Sequence, residues 1–193
     1  MFFDLHGLNF HDYNHTERYA SSPQNIERRK NRRIVMVMRE VSLDRGVGGK
    51  RTIVSIAMAE NSINAETLIR RYVSNGTSIM SDESSAYTRL SQWYDHESVE
   101  HAKEFVREDG VNENQAESYF SRLRRYEYGI GHRITPKYLM DLANEIAWRE
   151  DTRKLSEKER FDDIFRKIFK NGLSRWWRGY HQGHHRHTEI LMA

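Results

Sequence analysis

Asp82 and Glu117 are the residues whose type and setting suggest chemistry. Asp82 closes the short apolar run TSIM (77–80) and Ser81, and precedes the helical pattern SSAYTRLSQWY (84–94). Functional groups in α/β folds gather at such strand ends. Glu117 stands three residues after Asn114 in NENQAESYFSRLRR, and Ser121 and Arg124 continue that helical face. Ala116, Phe120 and Leu123 form the neighbouring apolar stripe, so the polar face is separate from the core face. Two carboxylates on different elements, flanked by Arg, suit a hard divalent cation such as Mg²⁺ or Mn²⁺ rather than zinc. A pair of such ions can activate a water or a 3′-hydroxyl and stabilise the leaving oxygen of a phosphodiester. That chemistry wants a third carboxylate from a first, central strand. The plain structural alternatives are an N-cap role for Asp82 and a solvated helix start for Asn114 and Glu117.

Around these sit further candidates. His101 ends a possible strand, SVEH (98–101), and a lone His there is most often structural. His181, His184, His185 and His187 have a spacing that can bind a transition metal, although a basic tail is the simpler reading. Basic residues cluster at 27–33 (ERRKNRR), at Arg122, Arg124 and Arg125, and at 175–186. Local patches of this kind matter more to a polyanion than the net charge of +3. A solvated face is the bland reading of any one run.

The elements that must position these residues follow from pattern. The 193 residues suit one domain with an appendage, and 37% hydrophobic against 31% charged residues still leaves three apolar runs for a core. FFDL (2–5) reads as a short strand, and 6–33 as a polar loop. IVMVMREV (34–41) and RTIVSIAMA (51–59) read as strands joined by the glycine-bearing hairpin LDRGVGGK. Asn64 is the expected cap of a helix over AETLIRRYVS, with Leu68, Ile69, Tyr72 and Val73 on its apolar side and Asn75-Gly76 as its stop. Helices are expected over about 113–128, over 135–150 with Thr135 as cap and Pro136 first, and over 156–171. The order is α/β, with a mixed sheet between helices. No cysteine is present, which excludes a disulfide framework and a Cys-based zinc site. No run of 18 apolar residues exists and the start MFFDLHGLNF lacks the signature of a signal peptide, so the expectation is a soluble intracellular chain with no membrane partner.

VMVMRE, SIMSDESSAY, VEH, NENQAESYFSRLRRYEYGIGHRI and AWREDTR occur in that order. Together they resemble the catalytic domain of DDE-type insertion-sequence transposases of the ISXO-like group. The resemblance covers roughly 1–155, leaving 156–193 as a helical, basic and aromatic C-terminal extension. It implies an RNase H-like fold and a Mg²⁺-dependent (or Mn²⁺-dependent) cleavage and strand transfer of DNA. It also implies transposon ends and target DNA as partners, oligomerisation on DNA, and a cytoplasmic, nucleoid-associated location. By the same resemblance Asp82 is the second catalytic Asp, Glu117 the helical Glu, and Asn114 the Asn that precedes it. Arg122, Arg124, Arg125, His101, Arg149 and Arg153 face DNA, the last two from a closing motif made of Trp148-Arg149-Glu150-Asp151 and Arg153.

The first catalytic Asp departs from the pattern. Aligning on Gly7 and Phe10 puts His6 at its position, with Asp4 two residues earlier on the same strand face. Asp4 or His6 therefore completes the expected metal site. Family members also carry an N-terminal zinc ribbon, for which this chain has no cysteines. The sequence thus reads as a truncated copy, either an active transposase or a decayed remnant that only binds DNA without specificity.

Overall fold

The run Ile34–Met38 is apolar at every position, so it satisfies a strand buried on both faces. In the computed structural model it forms the middle of β2 (Arg33–Val41). The structure describes residues 2–10, 33–42, 47–82, 84–98, 114–131, 134, 136–171 and 189–190, with 2–10, 114, 136–137 and 189–190 described by backbone alone. β1 (Phe2–Phe10) pairs antiparallel with β2, and β2 antiparallel with β3 (Gly49–Ala57). β4 (Ser78–Ser81) joins the other edge of β1 in parallel, and β5 (Asp95–Ser98) joins β4 in parallel. A two-residue strand, β6 (Glu189–Ile190), lies parallel to β3 and completes the order β5-β4-β1-β2-β3-β6. The first strand is therefore central, as the expected chemistry requires.

Alternation along β2 divides the core in two. Ile34, Met36 and Met38 join Ile53, Leu68, Ile69, Ile79, Tyr87 and Leu90 on one side. That layer is covered by α1 (Ser62–Tyr72) and a 3₁₀ segment (Ser85–Gln92). Val35 and Val37 join Val54, Ile56, Tyr119, Phe120 and Leu123 on the other, under α2 (Asn114–Tyr126) and α3 (Pro136–Asp151). α2 runs into a π turn (Glu127–Gly131), and α4 (Glu157–Asn171) follows α3. The Tyr119 hydroxyl donates to Ala143 O at 2.8 Å and ties α2 to α3 in the dry interior. Burial pushes that phenol far above the ordinary tyrosine range. The α/β sheet between helices expected from the sequence is the observed architecture.

Four local expectations differ. β1 runs on to Phe10, paired with β2 along its length, where the pattern predicts a polar loop from residue 6. The cap of α1 is Asn61, whose Oδ1 accepts from Asn64 N–H at 2.8 Å. Asn64 is buried one turn in and donates its amide to Ala59 O at 2.7 Å, so it satisfies the loop rather than starting the helix. Tyr72 is on the rim of α1 and exposed, while Leu68, Ile69 and Val73 are buried. An edge strand lies at 95–98, upstream of the expected 98–101, of which only Ser98 is among the described residues. Its register is set by polar contacts, Ser78 Oγ to Asp95 Oδ2 and Ser81 Oγ to His96 Nε2, both 2.8 Å. DHES carries no hydrophobic alternation, so periodicity has nothing to detect there. Thr135, His101 and the tail histidines lie outside the described residues.

Candidate functional site

The parallel pairing of β1 with β4 aligns Asp4 with Met80 and Leu5 with Ser81. Asp82 is the next residue after β4, so the same register continued by one step sets position 6 level with Asp82. On the other edge of β1, Asp4 is opposite Arg39 and His6 is opposite Val37. Arg39 and Val37 belong to the face covered by α2 and α3. Positions 4 and 6 thus share the sheet face beneath the helix that carries Glu117, and position 6 is the one adjacent to the end of β4.

Asp82 is half-buried and held by its neighbours. Its Oδ1 accepts from Ser84 N–H at 3.1 Å. Its carbonyl accepts from Ser81 Oγ at 2.8 Å and from Ser98 Oγ at 3.2 Å. Ser81 gives its one proton to that carbonyl, so its Oγ accepts from the His96 ring, which suits the neutral Nε2–H tautomer. Burial of His96 lowers its pKa and favours the same neutral form. The strand end is pinned across β4 and β5 by a serine and a histidine that sequence patterning did not single out. The signal that could have found them is the polar His-Glu-Ser run beside an aspartate at a strand end.

Glu117 lies exposed in the first turn of α2, with Asn114 opening the helix. The turn is held from below. Arg39, wholly buried on β2, donates from Nη1 to Gln115 O at 2.8 Å. Gln115 Oε1 accepts from Gly49 N–H at 3.0 Å. Two of the hairpin's glycines, Gly48 and Gly49, have separate jobs. Gly48 has φ +75°, and a Cβ on Gly49 would stand 2.6 Å from the Arg39 guanidinium. Glu150, 2% exposed, receives Arg39 and Arg153 at 3.6 Å each, and Arg122 closes on the same carboxylate. Next to it Asp151 accepts from Thr52 N–H at 2.9 Å and from Thr52 Oγ1 at 2.7 Å. Burial raises the Asp151 pKa, and the two Thr52 hydrogen bonds pull it back.

The expected DNA-facing arginines thus fall into two groups. Arg122 and Arg153 bind Glu150, and Arg149 binds Glu145 Oε1 from Nε at 3.0 Å and Nη2 at 2.8 Å. Arg124 and Arg125 are exposed and form no ion pair among the described residues. Arg124 is seven residues after Glu117, so it lies about 10 Å along the same helix face. Among the described residues no three His, Asp or Glu side chains cluster closely enough to hold a metal ion. Asp82 and Glu117 are both hard oxygen donors, which fits Mg²⁺ or Mn²⁺, whereas an imidazole at position 6 does not. No helix of the described residues is long and apolar enough to cross a membrane.

The model of the ISXO2-like transposase domain matches residues 5–151, which covers β1 from Leu5 through the end of α3. Neither the curated proteins nor the solved structures contain a match to the chain. The matched span includes His6, Asp82, Asn114, Glu117 and the Trp148–Asp151 run. DNA is the substrate that a transposase domain implies, and domains of the DDE type use a divalent metal ion. A match over this much of the chain is decisive for kinship: the chain belongs to the ISXO2-like transposase domain family.

Proposed function

We propose that residues 1–155 are an RNase H-like catalytic domain whose chemistry is divalent-metal-dependent cleavage of DNA strands and joining of the cut end to a target. The central position of β1, which brings position 6 level with Asp82, is the observation that carries this reading. Asp82 and Glu117 would hold Mg²⁺ or Mn²⁺. Such an ion would supply Lewis-acid activation of a water or 3′-hydroxyl and charge stabilisation for the leaving oxygen. The protein's own part is geometric. Asn114 orients the phosphate from the first residue of α2, Arg39 and Gln115 hold the turn that presents Glu117, and the Ser81–His96 contact fixes the backbone beneath Asp82. Arg124 and Arg125 contact the DNA backbone, which positions the duplex without reading sequence. The family resemblance adds Arg149, Arg153 and His101, the last outside the described residues, to the DNA contacts of this reading.

The pairing of β1 favours a second reading, a remnant that binds DNA without cutting it. Asp4 is the register partner of Arg39, while position 6, level with Asp82, carries a histidine where a third carboxylate belongs. One strand-transfer assay separates the two, using end-bearing duplex with Mg²⁺ or Mn²⁺. The active reading expects joined product that falls by roughly 100-fold or more in Asp82→Asn and in Glu117→Gln, since each removes an electrostatic stabiliser of the transition state. No product from the unmodified chain, with DNA binding intact, would overturn it. Product appearing only in His6→Asp would assign the lesion to that position and establish the remnant.

A further inference from the structure

The sequence EKERFDDIFRKIFKN folds as α4 (Glu157–Asn171) behind a reciprocal cap in which Ser156 N–H donates to Glu159 Oε2 at 2.8 Å and Glu159 N–H to Ser156 Oγ at 3.3 Å. Phe161, Ile164, Phe165, Ile168 and Phe169 recur at i, i+3, i+4, i+7 and i+8, which draws one apolar stripe down the helix. A stripe of this width ordinarily faces a core. Here all five residues are between 40% and 71% exposed, and no residue of α4 is buried. The rings form one continuous surface, with Phe161 and Phe165 stacked at 5.4 Å and Phe165 and Phe169 edge-on at 4.7 Å. The helix is fastened to α3 by its other side, through Trp148 Nε1 to Asp163 Oδ2 at 2.7 Å. Asp163 is two residues from Phe161 and from Phe165, about 200° round the helix, so the centre of the stripe turns away from that anchor, while Phe161 and Ile164 at its near edge line a cleft with Trp148 and Arg149 of α3. A contiguous apolar face of this kind marks an interaction surface.

Charge order along α4 identifies the occupant. The first half carries Glu157, Glu159, Asp162 and Asp163 against Lys158 and Arg160, and the second half carries Arg166, Lys167 and Lys170 with no acid. A helix that is acidic at its start and basic at its end is complementary to itself reversed. Asp162 and Arg166 stand one turn apart along one edge of the stripe, and neither is in an ion pair among the described residues. We propose that α4 is a self-association surface on which two copies of this chain pair antiparallel, with the five apolar side chains interleaved and Asp162 of each copy beside Arg166 of the other. A two-fold axis through the middle of the helix makes both ion pairs at once, as an isologous interface requires. The proposal is independent of the catalytic reading, because it uses no residue of that site.

Sedimentation of the full chain without DNA tests it. The mean mass is expected to rise with concentration from one chain's 23.1 kDa toward twice that value. Phe165→Asp is expected to weaken association at least about tenfold, and Phe169→Ser several-fold, since each withdraws apolar area from the contact. Both positions are exposed, so helical circular dichroism should not change. Asp162→Arg alone and Arg166→Asp alone should each weaken pairing several-fold, while the double swap restores it. The proposal is overturned by a mass of one chain at every concentration, by a dimer indifferent to Phe165→Asp, or by a double swap no better than the singles. The last outcome would mean that the helices do not meet antiparallel.

Discussion

At the scale of single residues, His96 controls more than its place on an edge strand suggests. Its ring is held neutral by burial while it donates to Ser81. A histidine whose folded pKa lies below its unfolded value contributes stability above the unfolded value, and that contribution is lost as pH falls. Wild-type protein should therefore lose denaturant stability relative to His96→Gln between about pH 8 and about pH 5, with most of the loss below the ordinary histidine value of about 6.5. Gln keeps an N–H donor at similar reach and removes the titration. Parallel unfolding curves for the two proteins across that range would show that the ring is not protected. Gly49 is the other residue with an outsized role. Gly49→Ala drives a Cβ into the Arg39 guanidinium, which Gln115 O and Glu150 already hold in place. It should cost about 1–3 kcal/mol by overpacking, measured by thermal or denaturant unfolding.

At the scale of elements, α2 is aimed rather than merely packed. Tyr119, Phe120 and Leu123 give it a buried face, but its first turn is held by the polar column of Arg39, Gln115 and Glu150. Glu150 is an acidic partner of Arg39, and it also receives Arg122 and Arg153. Glu150→Gln leaves three arginines without that negative charge, and should lower stability by about 3 kcal/mol. If the column positions Glu117, strand joining should fall in this variant by more than the unfolded fraction explains. An activity loss that tracks unfolding alone would give Glu150 a purely structural role.

At the scale of the whole molecule, the arginines sort by what they already hold. Arg149 is engaged with Glu145 on the protein, whereas Arg124 and Arg125 face outward beyond Glu117. Binding to a non-specific duplex should weaken as salt rises, and a plot of log affinity against log salt reports the phosphates neutralised. Arg124→Ala and Arg125→Ala should each reduce the slope by about 1, and Arg149→Ala by less. Equal slopes in all three variants would place the duplex elsewhere on the surface.

Much of the architecture was legible in the sequence, because apolar runs and glycine-bearing turns are local signals. IVMVMREV and RTIVSIAMA could only be buried strands, and Pro136 opens its helix where a missing N–H does no harm. Asp82 and Glu117 stood out as candidates because a strand end and a polar helix stripe are both local patterns. Other features had no local signature. Asn61 rather than Asn64 caps α1, since either asparagine suits a cap and the loop carbonyl of Ala59 claimed the second. The edge strand at 95–98 had no hydrophobic signature, because cross-strand serine contacts hold its register. The sequence by itself determined the alternation of strands and helices, the apolar stripe of α4, and kinship to a transposase family. Only tertiary structure decided that Asp4 stands against Arg39 and that position 6 comes level with Asp82. Those relations join residues about 35 and about 75 positions apart, and strand register, which a one-residue slip would reverse, is set by the whole sheet.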